Sequence, residues 1–296
     1  MKHADESDWY LHPLYYDIVF EDGTMEETNF LEAVLKRYGQ GKLRNKRTIL
    51  EPASGSGRLV IEMARRGHRV DGFDVSLPML RYSRMRTREL PAKSRDRVTF
   101  RRSRMQSFRA PRNHYDLIHC LLSTFKYLLT EREAVAHLSR AARALKPEGL
   151  YVLGIHLANY LRLSRDHERW IGQRDGIRVT CDTTTWPADP TTRLEQLSNR
   201  LTIKKQGIRK VEKIDTNWFC RTYNASELRR LIESGHEFEI AGCHDFSHRI
   251  GQTRSLDDSQ EDLVVVLRKK GSASAKGFSR KGSFPAIAKA NTRIPE

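Results

Sequence analysis

The stretch that decides the reading is ILEPASGSGRLVIEMARRGHRVDGFDVSLPML, from Ile49 to Leu80. Arg47 to Glu51 is a short apolar run that reads as a strand. Gly55 and Gly57 follow in a turn, and Arg58 to Arg66 has helical spacing, stopped by Gly67. His68 to Asp74 is a second strand. Ser76 is placed to cap a helix reaching about Leu90. Glycines between a strand and a helix let backbone amides and a helix N-terminus approach a ligand closely. Asp74 ends the second strand, 19 residues after Gly55. A carboxylate at that position accepts ribose hydroxyls in nucleotide-binding folds.

Outward from this stretch the alternation continues. Strands are expected at Arg97–Arg101, Tyr115–Cys120 and Leu150–Ile155, with a helix from Thr130 to Leu145 opened by a Thr130/Glu133 capping box. Upstream, Tyr16, Val19 and Phe20, then Phe30, Leu31, Val34 and Leu35, predict two helices broken near Asp22-Gly23. This βα alternation implies a parallel sheet. The pattern changes over 158–222, which holds no clear long helix after about Trp170. Ile177–Trp186, Arg193–Lys204 and Val211–Cys220 read there as antiparallel strands. A helix over Ala225–Glu233 and strands over Phe238–Phe246 and Asp262–Arg268 complete the sheet. The fold expected is α/β: a Rossmann-like, doubly wound, seven-stranded sheet with an antiparallel β insertion after the fifth strand. Its parts are N-terminal helices and core over 1–157, an insertion over 158–222, the end of the core over 223–270, and a disordered basic tail over 271–296.

Composition narrows the class. The chain has 296 residues, of which 38% are hydrophobic and 30% charged, enough for a core under a very polar surface. No apolar run approaches the roughly 20 residues of a bilayer span, and the N-terminus lacks a secretory layout. A soluble, cytoplasmic protein is expected. Cys120, Cys181, Cys220 and Cys243 form no C-x-x-C pair, so neither a disulfide framework nor a metal site is expected. The net charge of +16 is compatible with nucleic acid, acidic partners or a merely solvated surface.

Glycines alone leave the cofactor open between a dinucleotide and S-adenosylmethionine (SAM). A dinucleotide loop wants a third glycine or alanine, and Val60 stands there. Glu51, beside the loop, would repel a pyrophosphate and suit the ammonium and sulfonium of SAM. The stretch Ile49–Leu80 resembles the first two motifs of class I SAM-dependent methyltransferases: an acid, a G-x-G-x-G loop with Ala53 at its first glycine, an acid ending the next strand, then Ser-x-x-Met-Leu. The resemblance extends over roughly 9–157 and 222–268.

That resemblance implies that Glu51, Ala53, Gly55 and Gly57 surround the methionine part of the cofactor and that Asp74 holds its ribose. It places Val75 and Met79 near the adenosine and the Tyr16 phenol over the cofactor carboxylate. Ser103–Phe108 is similar to the adenine-contacting motif. Met105 matches, Arg104 stands where an Asp is frequent, and Gln106 is its replacement. Cys120 and Leu121 would lie against the cofactor. Substrate-facing candidates follow from topology, because ligands bind at the C-terminal ends of parallel strands: Ser123, Thr124 and Tyr127 after the fourth strand, His156 and Asn159 after the fifth, and Arg221 and Tyr223 where the insertion returns. No catalytic residue is legible, since methyl transfer requires alignment more than acid–base chemistry. The function expected is methyl transfer to a small molecule or metabolite under the insertion. The alternatives are an RNA or other nucleic-acid methyltransferase and a noncatalytic SAM-binding protein. A small-molecule substrate is the partner expected; nucleic acid is the lesser option and a membrane is not expected.

Overall fold

A computed structural model of the chain describes residues 8–39 and 46–271. The expected basic tail, apart from Gly271, lies outside the described residues. The first element is a 3-10 turn, Trp9–Leu11, capped by the Asp8 carboxylate, which accepts from the Tyr10 N–H. Helices α1 (Pro13–Phe20) and α2 (Thr24–Tyr38) follow, with Pro13 at the first helical position, where its missing N–H costs nothing. The core then runs β1 (Thr48–Pro52), α3 (Arg58–Arg65), β2 (Arg69–Asp74), α4 (Leu77–Arg88), α5 (Ala92–Arg95), β3 (Val98–Arg102), β4 (Tyr115–Cys120), α6 (Glu131–Ala144) and β5 (Leu145–His156). Ser76 caps α4 through the Met79 N–H, and the Thr130/Glu133 capping box opens α6.

Next come four strands, β6 (Asp166–Arg174), β7 (Ile177–Thr185), β8 (Leu194–Lys205) and β9 (Glu212–Arg221). Helix α7 (Ala225–Ser234) and strands β10 (Phe238–His244) and β11 (Asp262–Lys269) end the described chain. The main sheet has seven strands in the order β10-β11-β5-β4-β1-β2-β3. Strands β1 to β5 pair in parallel, and β11 is antiparallel to both neighbours. The order reverses between β1 and β4, so the loops after these two strands open a crevice at their C-terminal ends. Helices cover both faces. Phe30, Leu31, Val34 and Leu35 of α2 pack with Leu59 and Val60 of α3 on one; Leu138 and Ala141 of α6 and Leu228 and Leu231 of α7 lie in the core on the other. The α/β class and seven strands agree with the sequence reading.

Strands β6 to β9 form a separate antiparallel sheet in chain order. The sequence reading foresaw three of them and missed β6. Its residues, DHERWIGQR, are mostly polar and exposed, so the alternation that marks a half-buried strand is hidden. The inner face of this sheet buries Val179, Cys181, Leu201, Ile203 and Ile214 against Trp9, Tyr15 and Ile18. At Gly172 a Cβ would lie 2.0 Å from the Ile18 carbonyl oxygen, so the α1 backbone rests directly on β6. The four cysteines are buried and not disulfide-bonded. Among the described residues no helix is long and apolar enough to cross a membrane.

Candidate functional site

Strand β1 delivers Glu51 and Pro52 to the crevice, and the chain then turns through Ala53, Gly55 and Gly57, all at positive φ. The Gly57 N–H donates to the Ser54 carbonyl at 2.9 Å and closes the turn. Gly57 has φ +76°, and a Cβ there would lie 2.6 Å from Phe100 Cζ and 2.9 Å from Ser83 Cβ. Glycine at this position therefore seats α3 against α4 and β3. Asp74, at the end of β2, is buried. Its Oδ2 accepts from the Gly55 N–H at 2.9 Å and its Oδ1 from the Ser76 N–H at 2.8 Å. One carboxylate thus pins the glycine loop to the next strand. Burial raises its pKa, and these amides work against the rise.

Beneath the loop, Arg58 and Glu27 form a buried two-bond ion pair at 2.7 and 2.8 Å. Burial pushes the Glu51 carboxyl up to about 8; Arg58 opposes the shift and Glu27 adds to it. Glu51 Oε2, Ser54 Oγ and Ser56 Oγ are buried without a hydrogen-bond partner among the described residues. Unpartnered buried polar atoms are costly. Tyr16 of α1 covers the loop: a Cβ on Gly55 would lie 3.6 Å from its Cε1. Burial drives its phenol pKa up; Arg58 counters, and Asp74 and Glu51 add. An ammonium would complete Glu51, and Asp74 retains lone pairs for hydroxyls, so this donor set fits SAM.

The remaining expected cofactor positions are placed as follows. Val75 is 53% exposed at the mouth of the crevice, whereas Met79 is fully buried. Met105 is buried, its carbonyl within 3.1 Å of His137 Nδ1. The Gln106 side chain donates to Glu133 at 3.1 Å, which turns it toward α6. Cys120 is packed in the core and burial pushes its thiol up to about 12; Leu121 is buried in the opposite layer. His119 is also buried, neither ring nitrogen is bonded among the described residues, and burial lowers its pKa to about 3.

Past Tyr16 lies a cavity of about 270 Å³, bounded by the 3-10 turns Trp9–Leu11 and Thr124–Tyr127, the end of β5 and the inner face of the small sheet. Ser123, Thr124, Tyr127, His156 and Asn159 line it. The Ser123 hydroxyl accepts from the His156 N–H at 2.8 Å, the Tyr127 and Tyr10 hydroxyls are 2.5 Å apart, and His156 Nδ1 bonds Asp262. Arg221 and Tyr223 are not in the lining. Strand β9 alternates, so Trp218 and Cys220 face the cavity, while Arg221 reaches Glu131 and the Leu129 carbonyl and lies over the Tyr223 ring. Sequence reading did not select Tyr10, Lys126, Glu168, Trp170, Glu195 or Asp262, which also line the cavity. Period-two spacing pairs Glu168 with Trp170, but only after β6 is recognised.

A family model described as a methyltransferase domain matches residues 49–149, the span from β1 into β5. Residues 49–149 thus resemble a methyltransferase domain. The chain is 26% identical over 129 residues to YqeM of Bacillus subtilis, whose name proposes a methyltransferase; the match covers 44% of this chain and 47% of that protein. A second curated protein, from Geobacillus, is 26% identical over 144 residues, 48% of this chain and 55% of its own. The chain thus matches about half the length of these curated relatives. Solved structures share the fold over more of the molecule. DesVI from Streptomyces venezuelae is 16% identical with a TM-score of 0.66, covering 91% of this chain and 100% of that one. A SAM-dependent methyltransferase from Clostridium acetobutylicum is 15% identical with a TM-score of 0.65, covering 86% and 96%. The sugar N-methyltransferase KedS8 from a Streptoalloteichus species is 15% identical with a TM-score of 0.62, covering 86% and 92%.

Proposed function

We propose that the chain transfers the methyl group of SAM to a small molecule held in the cavity beneath the β6–β9 sheet. The observation that carries this reading is the shared wall: Tyr16 covers the Gly55 loop and also lines the cavity. A ligand on the loop and a molecule in the cavity would therefore meet. SAM supplies, when bound, a methyl group on a cationic sulfur with a neutral thioether as leaving group. Glu51 would take its ammonium, Asp74 its ribose hydroxyls, and Val75 and Met105 the sides of its adenine. The cavity walls would exclude water and align the acceptor, and alignment alone contributes about 7–11 kcal/mol in favourable cases. DesVI, KedS8 and the Clostridium enzyme have the same architecture, and KedS8 acts on a sugar. The confined volume suits a metabolite better than a nucleic-acid strand.

Calorimetry with SAM and S-adenosylhomocysteine tests the cofactor half. Binding is expected, and Asp74→Ala should weaken it by about 10- to 100-fold, the loss of a charged hydrogen-bonding partner. Labelled SAM offered with metabolite pools and with RNA tests the acceptor half. Absence of binding to either compound, or label found only in RNA, overturns the proposal.

A further inference from the structure

The cavity has a chemical character opposite to that of the chain. The protein carries a net charge of +16, yet five carboxylates line the cavity against two permanent cations, Lys126 and Arg162. Those cations are already engaged. Lys126 is paired with Glu195 at 2.5 Å, and Arg162 bridges Asp166 and Glu261 at 3.4 and 2.5 Å. Asp262 is bonded to His156. Glu168 remains, with no hydrogen bond or ion pair among the described residues. Glu168 is exposed to the cavity; partial burial raises its pKa, His156 and Lys126 lower it, and the neighbouring Asp166 and Asp262 raise it. No direct partner neutralises this carboxylate, so a ligand cation placed beside it would be favoured.

The aromatic lining points the same way. All four tryptophans of the chain, Trp9, Trp170, Trp186 and Trp218, line this cavity, as do Tyr10 and Tyr127. Trp170 follows Glu168 by two residues, so both project from the same face of β6. Trp186 already accommodates a cation, since the Arg165 guanidinium lies 5.1 Å from its ring centroid. Aromatic faces beside unpaired carboxylate form a recurrent solution for binding organic ammonium groups.

We infer that the cavity binds an organic amine as its ammonium ion, with Glu168 as counter-ion and the tryptophan faces as walls. This inference rests on the proposed function and names the substrate class, a metabolite carrying a basic amine; a nitrogen held as ammonium has no lone pair, so it would accept methyl only after passing its proton to the Glu168 carboxylate. The placement of Glu168 explains the acidic lining without recourse to a metal, because the carboxylates are spread over β6, β8 and the start of β11. Among the described residues no cluster of three or more His, Cys, Asp or Glu is arranged to hold a metal ion.

The tryptophans provide the readout. The full chain, with and without S-adenosylhomocysteine, is titrated at pH 7 with two matched pairs, D-glucosamine against D-glucose and cyclohexylamine against cyclohexanol. Saturable tryptophan quenching is expected for at least one amine and for neither neutral partner. Glu168→Gln should weaken amine binding at least tenfold and Glu168→Asp less, with circular dichroism confirming the fold. Equal binding of amine and neutral partner, no amine binding, or an unchanged constant in Glu168→Gln overturns the inference. Calorimetry with SAM on the same samples separates the two claims. Loss of SAM binding refutes the cofactor reading, whereas intact SAM binding without amine discrimination refutes only the ammonium site.

Discussion

At the scale of the residue, Glu51 connects the cofactor loop to pH. Its folded pKa lies near 8, above the usual carboxylate value of 4.5. A raised carboxylate pKa means that the folded chain holds the proton more tightly than the unfolded one. Its stabilising share is present below about 4.5 and is lost as pH rises through 8. A ligand ammonium placed beside Glu51 favours the ionised form and releases the proton. SAM affinity measured by calorimetry is therefore expected to strengthen between pH 6 and 8, by up to about tenfold per pH unit. Glu51→Gln should flatten that dependence and raise the thermal midpoint of the ligand-free protein at pH 8. A dependence unchanged in the variant would remove Glu51 from this role. The acid was legible because it stands at the end of an apolar strand next to a glycine turn. Its environment was not, since Arg58 and Glu27 meet beneath it from helices 31 residues apart in the chain.

At the scale of the element, the loop and α3 act as one unit. Gly57→Ala would place a Cβ against Phe100 and Ser83 at a positive φ. Strain and overpacking together are expected to cost about 2–4 kcal/mol in denaturant unfolding. Gly55 differs, because its Cβ would meet only Tyr16 at an ordinary 3.6 Å. Gly55→Ala should lose less stability and show its effect mainly in SAM binding. Equal destabilisation by the two would contradict this division. The capping residues Ser76 and Thr130 both act as their local sequence indicated, because a cap is a contact across three residues. Strand β6 was illegible for the converse reason. Its partner β7 supplies the hydrogen bonds, and its inner face meets a cavity, so no apolar alternation was needed.

At the scale of the whole molecule, the N-terminal segment ties three parts together. The Trp9 N–H donates to Thr216 Oγ1 at 3.0 Å, and the Trp9 ring stacks on Trp218 at 5.5 Å. The Tyr10 carbonyl accepts from Ser76 Oγ at 3.1 Å, at the end of β2. The segment therefore spans the nucleotide side and the small sheet. Trp9→Ala should cost about 3–5 kcal/mol, as large aromatic deletions from a core do. It should also weaken ligand binding in the cavity while leaving the Asp74 contacts intact, measurable as separate losses by calorimetry. An effect confined to SAM affinity would show that the segment serves only the cofactor side.

The sequence by itself determined the βα alternation, the helix caps and the loop between two acids on which the proposed cofactor rests. These depend on periodicity and on neighbours a few residues apart, which the chain order preserves. The loop residues Ser123, Tyr127 and His156 were placed at the cavity by topology, but tertiary structure alone decided which side chains of the strands join them. Glu168, Trp170, Glu195, Trp218 and Asp262 come from four strands, and only strand pairing and alternation turn them to one side. The same alternation turns Arg221 away. The proposed cofactor loop is thus a local property of Ile49–Leu80, whereas the character of the cavity arises from charges that are distant in the chain and adjacent in the fold.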